Sequence, residues 1–322
     1  METILITGGT GFLGTHVTKV FKERYQKPDW KVVSVGSSVA NLETRFDTVD
    51  LIDEYQPSYV VHLAGYSGGI YSNRLKPADY FSRNILMLTY MFEACAKFGH
   101  IKRLLVPMGG CSYPANVTSP IREESMWQGY PQVQSAGYSM AKKMALVMSA
   151  SYWTQYGLNS TVIVPGNMYG PHDNFSLTDS HVVPAMIRKI FEAKRKGAEE
   201  VTFWGTGNPV RDFVYVEDVA QLIPFFLFDY KGSSPINIST GAGIPMRDLV
   251  DIIAKAMQYT GKILWDITQP DGQMMKIFDT KKFESLYDGR DKNWFMATLG
   301  NGLLQTIQWF EENYDKEGEV RL

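Results

Sequence analysis

The segment TGGTGFLG (Thr7–Gly14) follows the apolar run TILIT (Thr3–Thr7) and opens a helical pattern that runs from Leu13 to about Tyr25. Its glycines fall as Gly8-x-x-Gly11-x-x-Gly14. Glycine there lets the backbone turn sharply off a strand and come close to a pyrophosphate, which then rests on the N–H groups of the following helix. Three spaced glycines alone are weak, but the strand before and the helix after supply the required context. The feature commits the N-terminal half to a βαβ unit that binds a dinucleotide, with Gly8, Gly11 and Gly14 against the phosphates.

The rest of the first half repeats this alternation. Strands are read at Trp30–Val35, Ser58–Gly65, Arg103–Met108 and Ser160–Pro165, with helices at Val49–Tyr55, about Asp79–Phe98 and about Ser135–Tyr156, the last ended by Gly157. The strands are nearly continuous apolar runs, as in parallel strands covered on both faces. The predicted fold is α/β, a doubly wound parallel sheet (Rossmann). Beyond Pro165, Gly, Pro, Asn and aromatic residues become frequent. Residues 1–165 are therefore read as a dinucleotide-binding domain and residues 166–322 as mainly a smaller, interleaved substrate lobe. That lobe has short strands (Val201–Trp204, Ile236–Ser239) and helices (His181–Lys196, Arg247–Thr260, Leu303–Tyr314), and segments near 212–240 return to the first domain.

Composition narrows the class. A chain of 322 residues with a formal net charge of −2 has no basic stripe for nucleic acid, and no apolar run nears the ~20 residues of a membrane span. The start METILITGG lacks a signal-peptide pattern, and two cysteines do not make a disulfide framework, so a reducing cytoplasm is expected. No metal site is read. After the second strand, GSSVAN (Gly36–Asn41) offers Ser37 and Ser38 but no carboxylate to repel a 2′-phosphate, which favours NADP and leaves NAD as the alternative.

Two further stretches carry chemistry. YSMAK places Tyr138 and Lys142 on one helix face, where an ammonium would lower the tyrosine pKa and the pair could move a proton while hydride passes to nicotinamide. PMGGCSYP (Pro107–Pro114) puts Cys111 at the mouth of a strand, either as filler in a tight turn or facing a site.

In order along the chain come AGYSGGI (Ala64–Ile70), CSYP (Cys111–Pro114), GYSMAK, PGNMYGPHDNF (Pro165–Phe175), SHVVPAMIRK (Ser180–Lys189), WGTGNPVRDFVYVEDVA (Trp204–Ala220) and PDGQMMK (Pro270–Lys276). Together these blocks resemble the GDP-L-fucose synthase family, epimerase-reductases of the extended short-chain dehydrogenase/reductase superfamily. The resemblance implies that Cys111 removes protons at C3 and C5 of a GDP-4-keto-6-deoxy-hexose and that His181 is its acid partner. Tyr138 would protonate O4 and Lys142 would hold the nicotinamide ribose. It also implies Phe12, Leu13, Ala64, Pro165, Asn167 and His181 at the cofactor, and Asn167, Lys189, Trp204, Arg211 and Lys276 along the GDP moiety. Lys189 stands where arginine is expected, with Arg188 beside it as a possible substitute. A homodimer through the two long helices is implied as well.

One position departs from the family. Its turn carries Ser-Ser-Cys or Ser-Thr-Cys, whereas this chain has Gly109-Gly110-Cys111. The lost hydroxyl would share the substrate oxygen with Tyr138, and one missing oxyanion donor is worth on the order of 2–4 kcal/mol. Ser112, in an extended segment, would point away. A narrower nucleotide-sugar 4-reductase, 4-dehydrogenase or epimerase therefore stays open, and so does a non-catalytic dinucleotide-binding protein.

Overall fold

The computed structural model describes residues 1–269, 271–287 and 297–322. Pro270, the first residue of the PDGQMMK block, lies outside the described residues.

The first half alternates as its sequence pattern demands: β1 (Glu2–Thr7), α1 (Phe12–Tyr25), β2 (Trp30–Val35), α2 (Arg45–Tyr55), β3 (Tyr59–His62), α3 (Ile70–Leu75), α4 (Pro77–Phe98), β4 (Arg103–Pro107), α5 (Ala136–Tyr156) and β5 (Ser160–Pro165). These strands lie parallel in the order β2-β1-β3-β4-β5, and a later strand, β9 (Ile236–Ile238), adds beside β5 as the sixth. Alternate side chains leave opposite faces of the sheet. Leu5, Val60, Leu104, Val106, Val162 and Val164 pack with Met91 and Phe92 of α4. Ile4, Ile6, Val61, Leu105 and Ile163 pack with Val17 and Phe21 of α1 and with Val219 and Ile223 of a later helix. Burial on both faces is why these strands read as unbroken apolar runs. The strand order reverses between β1 and β3. In doubly wound sheets this switch point, outside the strand ends, is where ligands bind.

The second region is built from β6 (Asn167–Tyr169), α6 (Val182–Arg195), β7 (Glu200–Trp204), β8 (Val210–Tyr215), α7 (Val216–Pro224), β9, β10 (Gly243–Pro245), α8 (Met246–Ala256), β11 (Lys262–Asp266), β12 (Met275–Lys276), α9 (Lys281–Tyr287) and α10 (Leu299–Asn313). β8 pairs with β6, β10 and β12, while β7 pairs with β11. Its separate core joins Tyr169, Ile187, Ile190, Leu249, Leu303 and Phe310. α7 packs on α1 and β9 on β5, so the chain crosses between the two regions more than once.

Several boundaries differ from the sequence reading. α2 begins at Arg45 because the Thr44 hydroxyl caps it, accepting from the Asp47 N–H at 3.3 Å. α10 begins at Leu299 because Thr298 caps it in the same way, taking the Asn301 N–H at 3.4 Å. β3 stops at His62, and the chain beyond it leaves the sheet. The turn after β4 is not extended: Gly110–Ser112 form one 3₁₀ turn.

Candidate active site

The β1–α1 turn lies at this switch point. Gly8 has φ +68°, and a Cβ on it would lie 2.6 Å from the Ala64 amide nitrogen at the end of β3. A Cβ on Gly14 would lie 2.0 Å from the Gly8 carbonyl oxygen. Only hydrogen at both positions lets the turn close on itself and stay near a ligand. Gly11 caps α1 with extended backbone, no side chain bonds to the first-turn N–H groups, and that turn holds no carboxylate. Open donors and the positive end of the helix dipole together suit a phosphate. Leu13 is buried in the core and Phe12 half-buried, so Leu13 has only its backbone to offer. Ser37 and Ser38 are exposed, on a loop that lies against the turn: a Cβ on Gly36 would come within 2.6 Å of Thr10 Oγ1. The fold brings one carboxylate that sequence order hides to the far end of that loop, where Asp47 Oδ2 accepts from the Asn41 N–H at 3.3 Å. These surfaces fit a dinucleotide.

α5 carries Tyr138 and Lys142 beneath the strap that follows β3. Asn84 of α4 pins the strap, accepting the Tyr66 N–H at 3.1 Å and donating to the Tyr66 carbonyl at 2.8 Å. A Cβ on Gly65 would stand 3.8 Å from Lys142 Nζ. Lys142 is 7% exposed, and burial pushes its pKa down to about 8, partly opposed by the charge of Cys111. Below it His62 is buried, holds a 2.8 Å hydrogen bond between Nδ1 and Thr7 Oγ1, and is pushed down to about 3 by burial and by Lys142. His62 is thus a neutral part of the core. The expected lowering of Tyr138 by Lys142 is not found. Burial pushes the phenol up, and Cys111 and Tyr80 push it further, so it holds its proton at neutral pH.

Cys111 is free and partly exposed, in the turn that closes β4. Its charge acts on Tyr138, Lys142 and Lys276. A Cβ on Gly109 would lie 3.0 Å from Cys111 Sγ, 3.2 Å from Tyr138 Cε1 and 3.8 Å from the Tyr138 hydroxyl oxygen. Gly109 has φ −90°, ordinary for any residue. Ser112 does not replace the lost hydroxyl, because it is fully buried and donates to the Ser139 carbonyl at 3.0 Å.

His181 caps α6 and is half exposed in the cleft, its Nδ1 3.9 Å from Asp173 Oδ1. Burial alone would lower its pKa, but Asp173 and Asp179 more than offset that and the net shift is upward. The His181 loop docks on the strap, where the Gly69 N–H donates to the Asp179 carbonyl at 2.9 Å. Asp179 Oδ1 also takes a 3.3 Å hydrogen bond from Tyr80, whose ring meets Tyr138 edge-on at 6.4 Å.

A cavity of about 290 Å³ starts at Val182, beside His181, and is lined by Lys189, Trp204, Arg211, Trp265 and Asp271 among others. Lys189 Nζ stands 5.5 Å above the Phe203 ring and 5.8 Å from that of Trp204, and burial lowers its pKa. Arg211 and Lys276 are register partners on β8 and β12. Burial lowers both; Asp271 opposes the shift at Arg211, and at Lys276 Cys111 opposes it while the neighbouring Arg211 adds to it. Arg188 cannot stand in for the expected arginine. It is held away from the cavity by Glu192 at 2.7 Å and by the Phe175 carbonyl at 3.0 Å. Asn167 donates to the Asp212 carbonyl at 2.8 Å, and Pro165 is buried at the end of β5. The sequence reading missed Asn84, Tyr80, Asp173 and Asp271, of which Asp173 and Asp271 stood inside quoted blocks. A larger cavity of about 620 Å³ between α2, α4 and α5 holds none of the predicted site residues.

The model of the NAD dependent epimerase/dehydratase family matches residues 4–239. The chain is 33% identical to a GDP-L-fucose synthase of Dictyostelium discoideum, covering 98% of this chain and 97% of the relative. It is 30% identical to the GDP-L-fucose synthase of Escherichia coli, covering 98% of each. A crystal structure of a GDP-L-fucose synthetase from Naegleria fowleri bound to NADP superimposes with a TM-score of 0.88 at 27% identity, covering 100% of this chain and 96% of that one.

Proposed function

The chain belongs to the NAD dependent epimerase/dehydratase family and, within it, to the GDP-L-fucose synthases, and we infer that it carries out NADPH-dependent 3,5-epimerisation and 4-reduction of a GDP-4-keto-6-deoxy-hexose, giving GDP-L-fucose or a close relative. The observation that carries this reading is the meeting of a free thiol, Cys111, with a proton-holding phenol, Tyr138, at the mouth of β4. An epimerase-reductase needs both a base beside a ketone and an acid at its oxygen.

The C4 ketone acidifies C3–H and C5–H. Cys111, as thiolate, takes the proton from one centre, and His181, as imidazolium, returns one to the opposite face, which inverts it; the thiol then loses its proton to solvent and the imidazole regains one before the second centre reacts. When bound, NADPH supplies the hydride that reduces C4. Tyr138 gives its phenol proton to O4; the burial that raises its pKa keeps that proton in place until then. Lys142, under the strap, holds the nicotinamide ribose. The β1–α1 turn holds the pyrophosphate, and Ser37 and Ser38 face the 2′-phosphate. Lys189, Arg211 and Lys276 neutralise the GDP diphosphate, with Trp204 against the base or sugar and Asn167 at the junction.

The enzyme works as a homodimer through α4 and α5, whose outer faces leave Phe81, Val147, Trp153 and Tyr156 exposed. Its place is the cytoplasm, where Cys111 stays reduced. No helix among the described residues is long and apolar enough to cross a membrane. Gly109 supports a second reading, in which epimerisation outpaces reduction.

Mass spectrometry and NMR of the product from GDP-4-keto-6-deoxy-D-mannose and NADPH test the activity. Recovery of unchanged substrate would reject it. With oxidised cofactor in D₂O, deuterium enters C3 and C5, and Cys111→Ser slows that entry at least about ten-fold, since an alkoxide forms far less readily than a thiolate.

A further inference from the structure

Asp173 lies in the turn between β6 and α6 with its side chain 3% exposed. Oδ1 accepts the Asn174 N–H at 2.7 Å, whereas Oδ2 is buried and has no hydrogen-bond partner among the described residues. A carboxylate oxygen in that position lowers stability and calls for a reason other than packing. The residue before it, His172, adopts φ +65°, a left-handed conformation that is strained for a non-glycine residue and sets the direction in which the next side chain leaves. It is Asp173 Oδ1, the oxygen bound to Asn174, that stands 3.9 Å from His181 Nδ1, an ion-pair separation longer than a hydrogen bond, so a small rotation of the carboxylate is needed to close on the ring.

His181 needs such a partner. It caps α6, where the positive end of the helix dipole disfavours an imidazolium. The other groups around the pair are Asp179 on the same loop, Arg321 near the C-terminus and Tyr80 of α4. Arg321 lies 3.7 Å from Asp179 Oδ2 and the Tyr80 hydroxyl donates to Asp179 Oδ1, so the charge of Asp179 is shared out. Asp173 is left as the carboxylate directed at the imidazole.

We propose that Asp173 is a positioning residue for His181: it accepts the Nδ1–H, fixes that tautomer, and leaves Nε2 as the nitrogen that exchanges a proton with the sugar. No covalent step is added. Asp173 stays at Nδ1–H while Nε2 gives up its proton and later regains one from solvent. The inference rests on His181 acting in the epimerisation.

The test begins with intact wild-type protein labelled with ¹⁵N-histidine, its His181 signals assigned with His181→Gln. The neutral imidazole should carry its proton on Nδ1, and its titration midpoint should lie above that of an ordinary histidine. Asp173→Asn should lower that midpoint by about one pH unit. It should also move the high-pH limb of C3/C5 deuterium entry down by the same amount and reduce kcat while KM for the sugar holds. An Nε2–H tautomer in the wild type overturns the proposal even if the variant does not fold, as does an unmoved midpoint in Asp173→Asn. If His181→Gln leaves deuterium entry undiminished, the assignment of His181 itself fails. If it abolishes entry while Asp173→Asn changes neither tautomer nor pH profile, only the role of Asp173 fails.

Discussion

Two glycine-bearing turns stand at the ends of β1 and β4, which flank β3 in the sheet, and they use glycine for different reasons. In the turn after β1, Gly8 sits at φ +68° with backbone 2.6 Å from where a Cβ would go, and the obstacle at Gly14 is also backbone. No side-chain adjustment relieves either contact. In the turn after β4, Gly109 has an ordinary φ of −90°, and what a Cβ would meet at 3.0 and 3.2 Å are the side chains of Cys111 and Tyr138. Its neighbour Gly110 is constrained by packing instead, since a Cβ there would lie 2.4 Å from the buried Phe278 ring. Glycine at 8 and 14 is a condition of the fold. Glycine at 109 is bounded only by side chains, which can yield where backbone cannot.

The largest effect expected from this contrast is at the first turn. Gly8→Ala should destabilise the protein by about 3 kcal/mol or more, because backbone strain and a backbone clash add, and it should abolish NADPH binding. Thermal melting and fluorescence titration measure both; near-normal values would mean the turn is more yielding than its geometry shows.

At the second turn the sharpest loss is Tyr138→Phe. Reduction should fall about 10³-fold, because Gly109 leaves no second hydroxyl to serve O4, while deuterium entry at C3 and C5 continues. If most NADPH oxidation survived, Tyr138 would not be the proton donor.

Gly109→Ser tests the contrast directly. Its φ needs no change, so the stability cost should stay below about 1 kcal/mol, far less than at Gly8. The new hydroxyl should raise kcat for reduction, by up to about ten-fold where the Cys111 and Tyr138 side chains give the few tenths of an ångström required. A raised KM with no gain in kcat would mean that the glycine accommodates a bulkier sugar.

The smallest effect is in pH. The folded pKa of Lys142, about 8, lies below that of a free lysine, so the folded state holds fewer protons than the unfolded one between about 8 and 10.5. This group therefore costs stability at and below pH 8, and stability is regained as pH rises through that window. Activity runs the other way. The ammonium is lost above pH 8, so kcat/KM for reduction should decline there, and Lys142→Arg should remove that limb while weakening ribose contact. A profile flat to pH 10 would separate Lys142 from the reductive step.

The sequence by itself determined the parts that depend on local order. Unbroken apolar runs separated by helical patterns dictate a doubly wound parallel sheet, because only strands covered on both faces dispense with polar positions. The glycine spacing between β1 and α1 dictates a phosphate turn, because few other arrangements need three such positions. The spacing of YSMAK singled out Tyr138 and Lys142, and the family blocks gave Cys111 and His181 their expected roles. Tertiary structure decided what those groups experience. Tyr138 is raised and not lowered because it is buried and because Cys111 and Tyr80, both distant in sequence, push it the same way. Arg188 and Lys189 are adjacent in the chain, yet only Lys189 reaches the cavity, because a helix turns about 100° per residue and Glu192 claims the other face. Asp173 was a letter in a quoted block until folding buried one of its oxygens without a partner and set the carboxylate beside His181. Electrostatics depends on distance and on solvent exclusion, and neither is written in the order of residues.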